Sequence, residues 1–369
     1  MELVVTHREK IISKYQDSGW KALGSVIDNY LDTLNSVGID ADLFLLDKID
    51  SSKGSDPKSI KASLRRLREQ FSSNYLLFLG GPDIIPFYSR PDQTPHQILD
   101  QQILSDTYYV DFNENEEVHW PEMAVGRLPD GDMEISLLID QLNRAAVMHR
   151  SGGASLEEHH AGFTADIWKN ASRQTYFRID ETGESLKFCP PLGRKSSGSN
   201  GVTEIIDVNH FPKGGILFFN VHGHRQKPLW WGEQRIESIR QSPELVDYDL
   251  LSTVDLMNTI ILSEACHAAA IHGRTPQDSL ALCALRSGAL AFVGCTTTCY
   301  AVSLPDGQPS GASGIDSLFQ TMIYHMIKKR ARFGDALREA KQFHIFFNAF
   351  DEKNILSLVL LGDPTLHFR

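Results

Sequence analysis

Two runs of almost wholly apolar residues, 215–221 and 259–263, constrain the fold of this chain more than any other feature. Runs without polar alternation suit strands buried on both faces, which is the situation inside a parallel sheet covered by helices. Parallel neighbours need long crossovers, and the sequence supplies them. Residues 20–37 carry Leu23, Ile27, Tyr30, Leu31 and Leu34 at helical spacing, with Gly38 as a stop. Asp56-Pro57 is an N-cap followed by proline at the first helical position and predicts a helix to about Phe71. Further helices are expected over 132–149, 277–286, 311–328 and 333–349. Strands are expected over 3–5, 41–46, 75–79, 108–111, 123–125, 160–165, 202–207 and 289–293.

The alternation makes this an α/β chain with mostly parallel sheets flanked by helices. At 369 residues it is long for one core, and Ser151-Gly152-Gly153 offers a seam. The expected organisation is two α/β subdomains, 1–150 and 151–369.

Both apolar runs end in reactive side chains. The first leads into His222-Gly223-His224 and the second, through Glu264-Ala265, into Cys266-His267. Ligands bind at the carboxyl ends of parallel strands, so both side chains emerge on the functional edge. The 266 − 222 = 44 residues between them are enough for a crossover to a neighbouring strand. A thiol with a pKa near ~8.5 is only partly ionised at neutral pH, and an adjacent imidazole can take its proton. Gly223, lacking a side chain, can bring its N–H close to a substrate carbonyl and, with the N–H of Cys266, form an oxyanion hole. Against this stands the bland alternative of a core cysteine, since cysteine is among the most buried residue types.

Charge and cysteine content narrow the function class. Lys and Arg minus Asp and Glu is 36 − 47 = −11, which disfavours a phosphate-tracking, nucleic-acid-binding role and is compatible with a cationic substrate. No apolar run is long enough to cross a bilayer, and MELVVTHREK lacks the pattern of a signal peptide. Cysteines 189, 266, 283, 295 and 299 are odd in number and lack metal-finger spacing, so reduced thiols and a cytoplasmic location are expected. A zinc site from His222, His224, Cys266, His267 and His272 is the rival account. It lacks an acidic base in a recognised metal motif, and no metal or cofactor is expected, with calcium activation left undecided.

The segments around the two strand ends resemble the gingipain family of cysteine peptidases, in the clan of caspases, metacaspases, clostripain, separase and CHAT domains. Phe219-Asn220-Val221-His222-Gly223 resembles the histidine-glycine motif, and Leu262-Ser263-Glu264-Ala265-Cys266 the nucleophile motif. Residues 77–86 (LFLGGPDIIP), 105–111 (SDTYYVD), 124–129 (AVGRLP) and 361–366 (LGDPTL) resemble further landmarks, so the similarity runs from about Leu76 to Phe368. The resemblance implies a caspase-like second subdomain and a cysteine endopeptidase with a Cys266–His222 dyad acting on a protein or peptide substrate. Oligomeric state stays open.

By the same resemblance Glu264, two residues before the nucleophile, would receive Arg or Lys at P1. A strand-end carboxylate paired with a structural arginine is its alternative. Asp166, after the strand at 160–165, is a second pocket acid, and Tyr300 would line the cleft. The competing class is a latent or non-enzymatic scaffold. Residues 196–201 and 303–313 are candidate activation segments.

Overall fold

The computed structural model describes residues 1–49, 56–94, 100–113, 119–131, 135–156, 159–195, 201–303, 309–347 and 351–369. Its centre is a ten-stranded sheet. In chain order the strands are β1 (Glu2–Thr6), β2 (Ala41–Leu45), β3 (Tyr75–Leu79), β4 (Ala124–Leu128), β5 (Ala161–Ala165), β6 (Leu186–Cys189), β7 (Ile216–Asn220), β8 (Ile260–Ser263), β9 (Ala291–Cys295) and β10 (Leu358–Gly362). Their spatial order is β2-β1-β3-β4-β10-β9-β8-β7-β5-β6. Every pairing is parallel except β9 with β10.

Residues 1–150 supply β1–β4 and residues 151–369 supply β5–β10, and the two sets meet where β4 lies beside β10. The backbones approach closely there: a Cβ on Gly126 would collide with the carbonyl oxygen of Gly362. The principal helices are α1 (Arg8–Ser36), α2 (Pro57–Phe71), α3 (Ile135–Arg150), α4 (Lys169–Tyr176), α5 (Leu280–Arg286), α6 (Ile315–Lys328) and α7 (Phe333–Phe347). Asp56 caps α2 as expected, accepting from the N–H groups of Lys58 and Ser59. No described helix is long and apolar enough to cross a membrane.

The alternating faces of β7 and β8 feed two cores. Phe218, Ile260 and Leu262 pack in one with Ile315 and Leu318 of α6, while Phe219, Leu217 and Ile261 pack in the other with Leu282 and Leu285 of α5. Helices on both faces explain why these strands carry no polar alternation.

Two expected strands differ. Of residues 108–111, the first three belong to a short 3₁₀ turn, Thr107–Val110, because the preceding Asp106 is held by Arg127 at 2.9 and 2.6 Å and Ser105 Oγ accepts the Thr107 N–H. Arg127 is fully buried and also donates to the carbonyls of Gly80 and Ile85, so one side chain ties that turn to the end of β3. Residues 202–207 stay outside the central sheet: only Glu204–Ile205 pairs, with Leu192–Gly193. The edge place is taken by β6, which sequence periodicity did not single out. The helix expected over 311–328 starts at Ile315, after a strand Pro309–Gly314 that pairs with Ala301–Ser303. Of the two candidate activation segments, residues 196–200 and 304–308 lie outside the described residues.

Candidate active site

The site grows from the register of β7 against β8. Phe219 lies opposite Ser263, and the Glu264 N–H donates to the Phe219 carbonyl at 2.8 Å. Past these paired ends His222-Gly223 follows β7 and Cys266 follows β8. A Cβ on Gly223 would collide with the carbonyl oxygen of Cys266, so a glycine is required where the two segments touch. The structure therefore brings His222, Gly223 and Cys266 together at the carboxyl edge of the sheet. Beside them a cavity of about 320 Å³ is lined by His267, Arg225, Arg274 and Thr297.

His222 is fixed from three sides. Its Nε2 is 3.0 Å from Glu233 Oε2, Trp168 packs at 4.4 Å between ring centroids, and Trp231 stacks at 5.3 Å. Burial opposes ionisation of Glu233, but its hydrogen bond from Arg235 and the charge of Arg240 hold the carboxyl below its usual range. An ionised carboxylate only accepts, so Nε2 carries the proton and Nδ1 is left as the basic nitrogen. Burial pushes the His222 pKa down, Glu233 opposes this without reversing it, and the imidazole rests neutral.

Cys266 is half-buried, and its Sγ is 3.6 Å from the carbonyl oxygen of Cys299. The adjoining Cys299 lowers the Cys266 pKa against the effect of burial. A lowered pKa and partial exposure are the marks of a reactive cysteine; by contrast burial raises Cys189 to about 12 and Cys283 to about 11.

Glu264 is 4% exposed, and neither carboxylate oxygen has a hydrogen-bond partner among the described residues. Its pKa is raised well above the ordinary value, first by burial and then by the neighbouring Asp316, whose own pKa is raised by burial. Asn220 Nδ2 is 3.4 Å from Asp316 Oδ1, which ties this acid pair to the end of β7. The structure thus sets Glu264 against a second acid, not against an arginine. Asp166 stands apart from the pair: it accepts from Lys169 at 3.2 Å and Gln234 at 3.3 Å, next to Trp168. Tyr300 bonds through its backbone to Asn354, and its ring lies under Lys353.

Two of the remaining histidines have other partners. His224 Nδ1 accepts from the N–H groups of Gln226 and Lys227, and His267 Nε2 lies 3.2 Å from Thr298 Oγ1. Among the described residues no three His, Cys, Asp or Glu side chains converge as metal ligands. Glu233 and Asp316, and the contacts that Cys299 and the tryptophans make at the site, were missed by sequence reasoning. The one available signal was an acid two residues before an arginine, shortly after Trp230-Trp231.

Glu233→Gln tests the positioning role. The variant should lose about 10-fold or more in kcat/KM. Removing the opposing charge while Arg235 and Arg240 remain lowers the His222 pKa further, so the acid limb of the kcat/KM–pH profile should move to lower pH. A merely structural carboxylate would leave that limb in place.

Comparison with known proteins gives a consistent picture. The profile described as "Peptidase family C25" matches residues 11–369. No curated protein matches. The crystal structure of the Arg-specific cysteine proteinase gingipain R (RgpB) superposes with a TM-score of 0.67 at 15% identity, covering 100% of this chain and 78% of that one. A complex of the Porphyromonas gingivalis RgpB pro- and mature domains gives 0.67 at 14% identity, covering 100% and 80%. At such identity these likenesses speak for the fold.

Proposed function

This chain belongs to peptidase family C25, and from that premise we propose that it cleaves protein substrates after arginine or lysine, with Cys266 as nucleophile and His222 as proton carrier. As a member of that family it is a cysteine-type endopeptidase. The observation that supports the assignment is the close backbone contact of Gly223, next to His222, with Cys266 just past the paired ends of β7 and β8.

In the proposed sequence Cys266 Sγ attacks the scissile carbonyl carbon and its proton passes to Nδ1 of His222. The neutral resting state of the imidazole suits that transfer. The N–H groups of Gly223 and Cys266 stabilise the oxyanion, and His222 returns the proton to the leaving amine. Water then hydrolyses the acyl-enzyme. Glu233 and the flanking Trp168 and Trp231 hold the ring in one tautomer and one orientation.

Basic P1 specificity is supported by the Glu264–Asp316 pair. Two buried acids without a cation are costly, and an arriving guanidinium or ammonium relieves the cost by letting them ionise. Asp166 and Tyr300 are assigned to the wall of the cleft. Hydrolysis of fluorogenic peptides varied only at P1 tests the reading. Cleavage confined to Arg and Lys is expected, and equal cleavage after Leu or Glu would sink it.

One observation favours a second reading, a latent form: at 4% exposure Glu264 is closed to substrate. Alkylation of Cys266 by a P1-Arg electrophile in a chain that hydrolyses no peptide would mark that latent enzyme.

A further inference from the structure

Cys266 is one of three thiols in sequence-distant contact. The strand β9 ends at Cys295 beside β8, and four residues later (299 − 295) the chain brings Cys299 under the nucleophile. Cys266 Sγ is 3.6 Å from the Cys299 carbonyl oxygen, and Cys299 Sγ is 3.0 Å from the carbonyl oxygen of Glu264, two residues before Cys266. Cys266 Sγ thus lies against the backbone of Cys299, and Cys299 Sγ lies against the segment that leads into Cys266, so the two side chains are near neighbours across 33 residues of chain. Their proximity favours the thiolate of Cys266 and, with burial, disfavours that of Cys299. All five cysteines are free, and of these three Cys266 is the half-buried one, while Cys295 and Cys299 are buried. This division of labour has a half-buried attacking thiolate and a buried, protonated partner behind it.

We propose that Cys299 is the resolving cysteine of a peroxide switch, forming a reversible disulfide with Cys266 that turns the peptidase off and protects its nucleophile. The inference rests on the reading of Cys266 as nucleophile. Hydrogen peroxide is the oxidant. The Cys266 thiolate attacks one peroxide oxygen, the O–O bond breaks, hydroxide leaves, and Cys266 becomes a sulfenic acid. The Cys299 sulfur then attacks Cys266 Sγ. The S–S bond forms, the S–O bond breaks, and the Cys299 proton leaves with hydroxide as water. Two thiols and one peroxide thus give one disulfide and two waters, and a dithiol reductant reverses the change. Without a resolving thiol the sulfenic acid goes on to sulfinic acid, which does not return.

The test treats the full chain with dilute hydrogen peroxide, quenches with iodoacetamide, and follows both hydrolysis of a P1-Arg peptide and the cysteine-containing peptides by mass spectrometry. The parent should lose activity with a Cys266–Cys299 link and regain it with dithiothreitol. Cys299→Ser and Cys299→Ala should lose it without recovery, with Cys266 dioxidised, while Cys295→Ser behaves as the parent. Sulfinic acid on Cys266 of the parent with no link to Cys299, or full recovery of both Cys299 variants, overturns the switch. A link that forms with no loss of hydrolysis overturns Cys266 as nucleophile and the switch with it. The mass readout separates that result from a failure to form the bond.

Discussion

Cys266→Ala should lower kcat/KM for a P1-Arg peptide by about 10⁴-fold or more while leaving the fold intact. The size follows from covalent catalysis: without the sulfur no acyl-enzyme forms, and residual rate comes only from binding and the oxyanion hole. Stability should barely change, because Cys266 is half-buried and contributes one sulfur to the rim of a core built from both halves of the sheet. His222→Ala should cost nearly as much, and the double variant little more than either single one, since the two act as a unit. Circular dichroism and thermal unfolding check the fold, and peptide hydrolysis checks the chemistry. Undiminished hydrolysis by a folded Cys266→Ala protein would remove the assignment of the nucleophile.

The reason this pair could be found from sequence is physical. A strand buried on both faces writes itself as an uninterrupted apolar run, and a reactive residue just past its end must lie at the edge of the sheet. The runs before His222 and Cys266 are β7 and β8, and their adjacency follows from two parallel strands joined by a crossover. Glu233 and Asp316 carry no such signature. Glu233 reaches His222 by the pairing of the His222–Gly223 and Leu229–Trp231 segments, and Asp316 reaches Asn220 across 96 residues through the packing of α6 on the sheet. Such contacts are set by tertiary placement, so a single acid in a loop or at a helix start reads like any other. The Thr107–Val110 turn was misread for a related reason. Its apolar tyrosines suit a strand, but the long-range Arg127–Asp106 pair decides the backbone. Likewise Glu264 was legible by position alone, and its environment, a second acid where a basic partner was one alternative, was not.

That environment sets the second large effect. Glu264→Gln should reduce kcat/KM for P1-Arg peptides by about 10²–10³-fold, the cost of removing one partner of a desolvated charge pair of about 3–5 kcal/mol. Asp316→Asn should act in the same direction, and slow hydrolysis after neutral P1 residues should change little in either. The free protein should respond oppositely. Burial and Asp316 raise the Glu264 pKa well above its ordinary 4.5, so between that value and the raised one the folded state binds more protons than the unfolded state. Stability therefore falls as pH rises through this window, and the loss is complete above the folded-state pKa. Glutamine does not titrate, so Glu264→Gln should unfold at a higher temperature than the parent, with a gap that widens with pH above about 4.5. A carboxyl that served only the core would give the stability change with no change in P1 preference. Loss of basic preference together with a gain in stability is the signature of an acid kept buried to receive a cation, because the same desolvation that strains the empty pocket strengthens the occupied one.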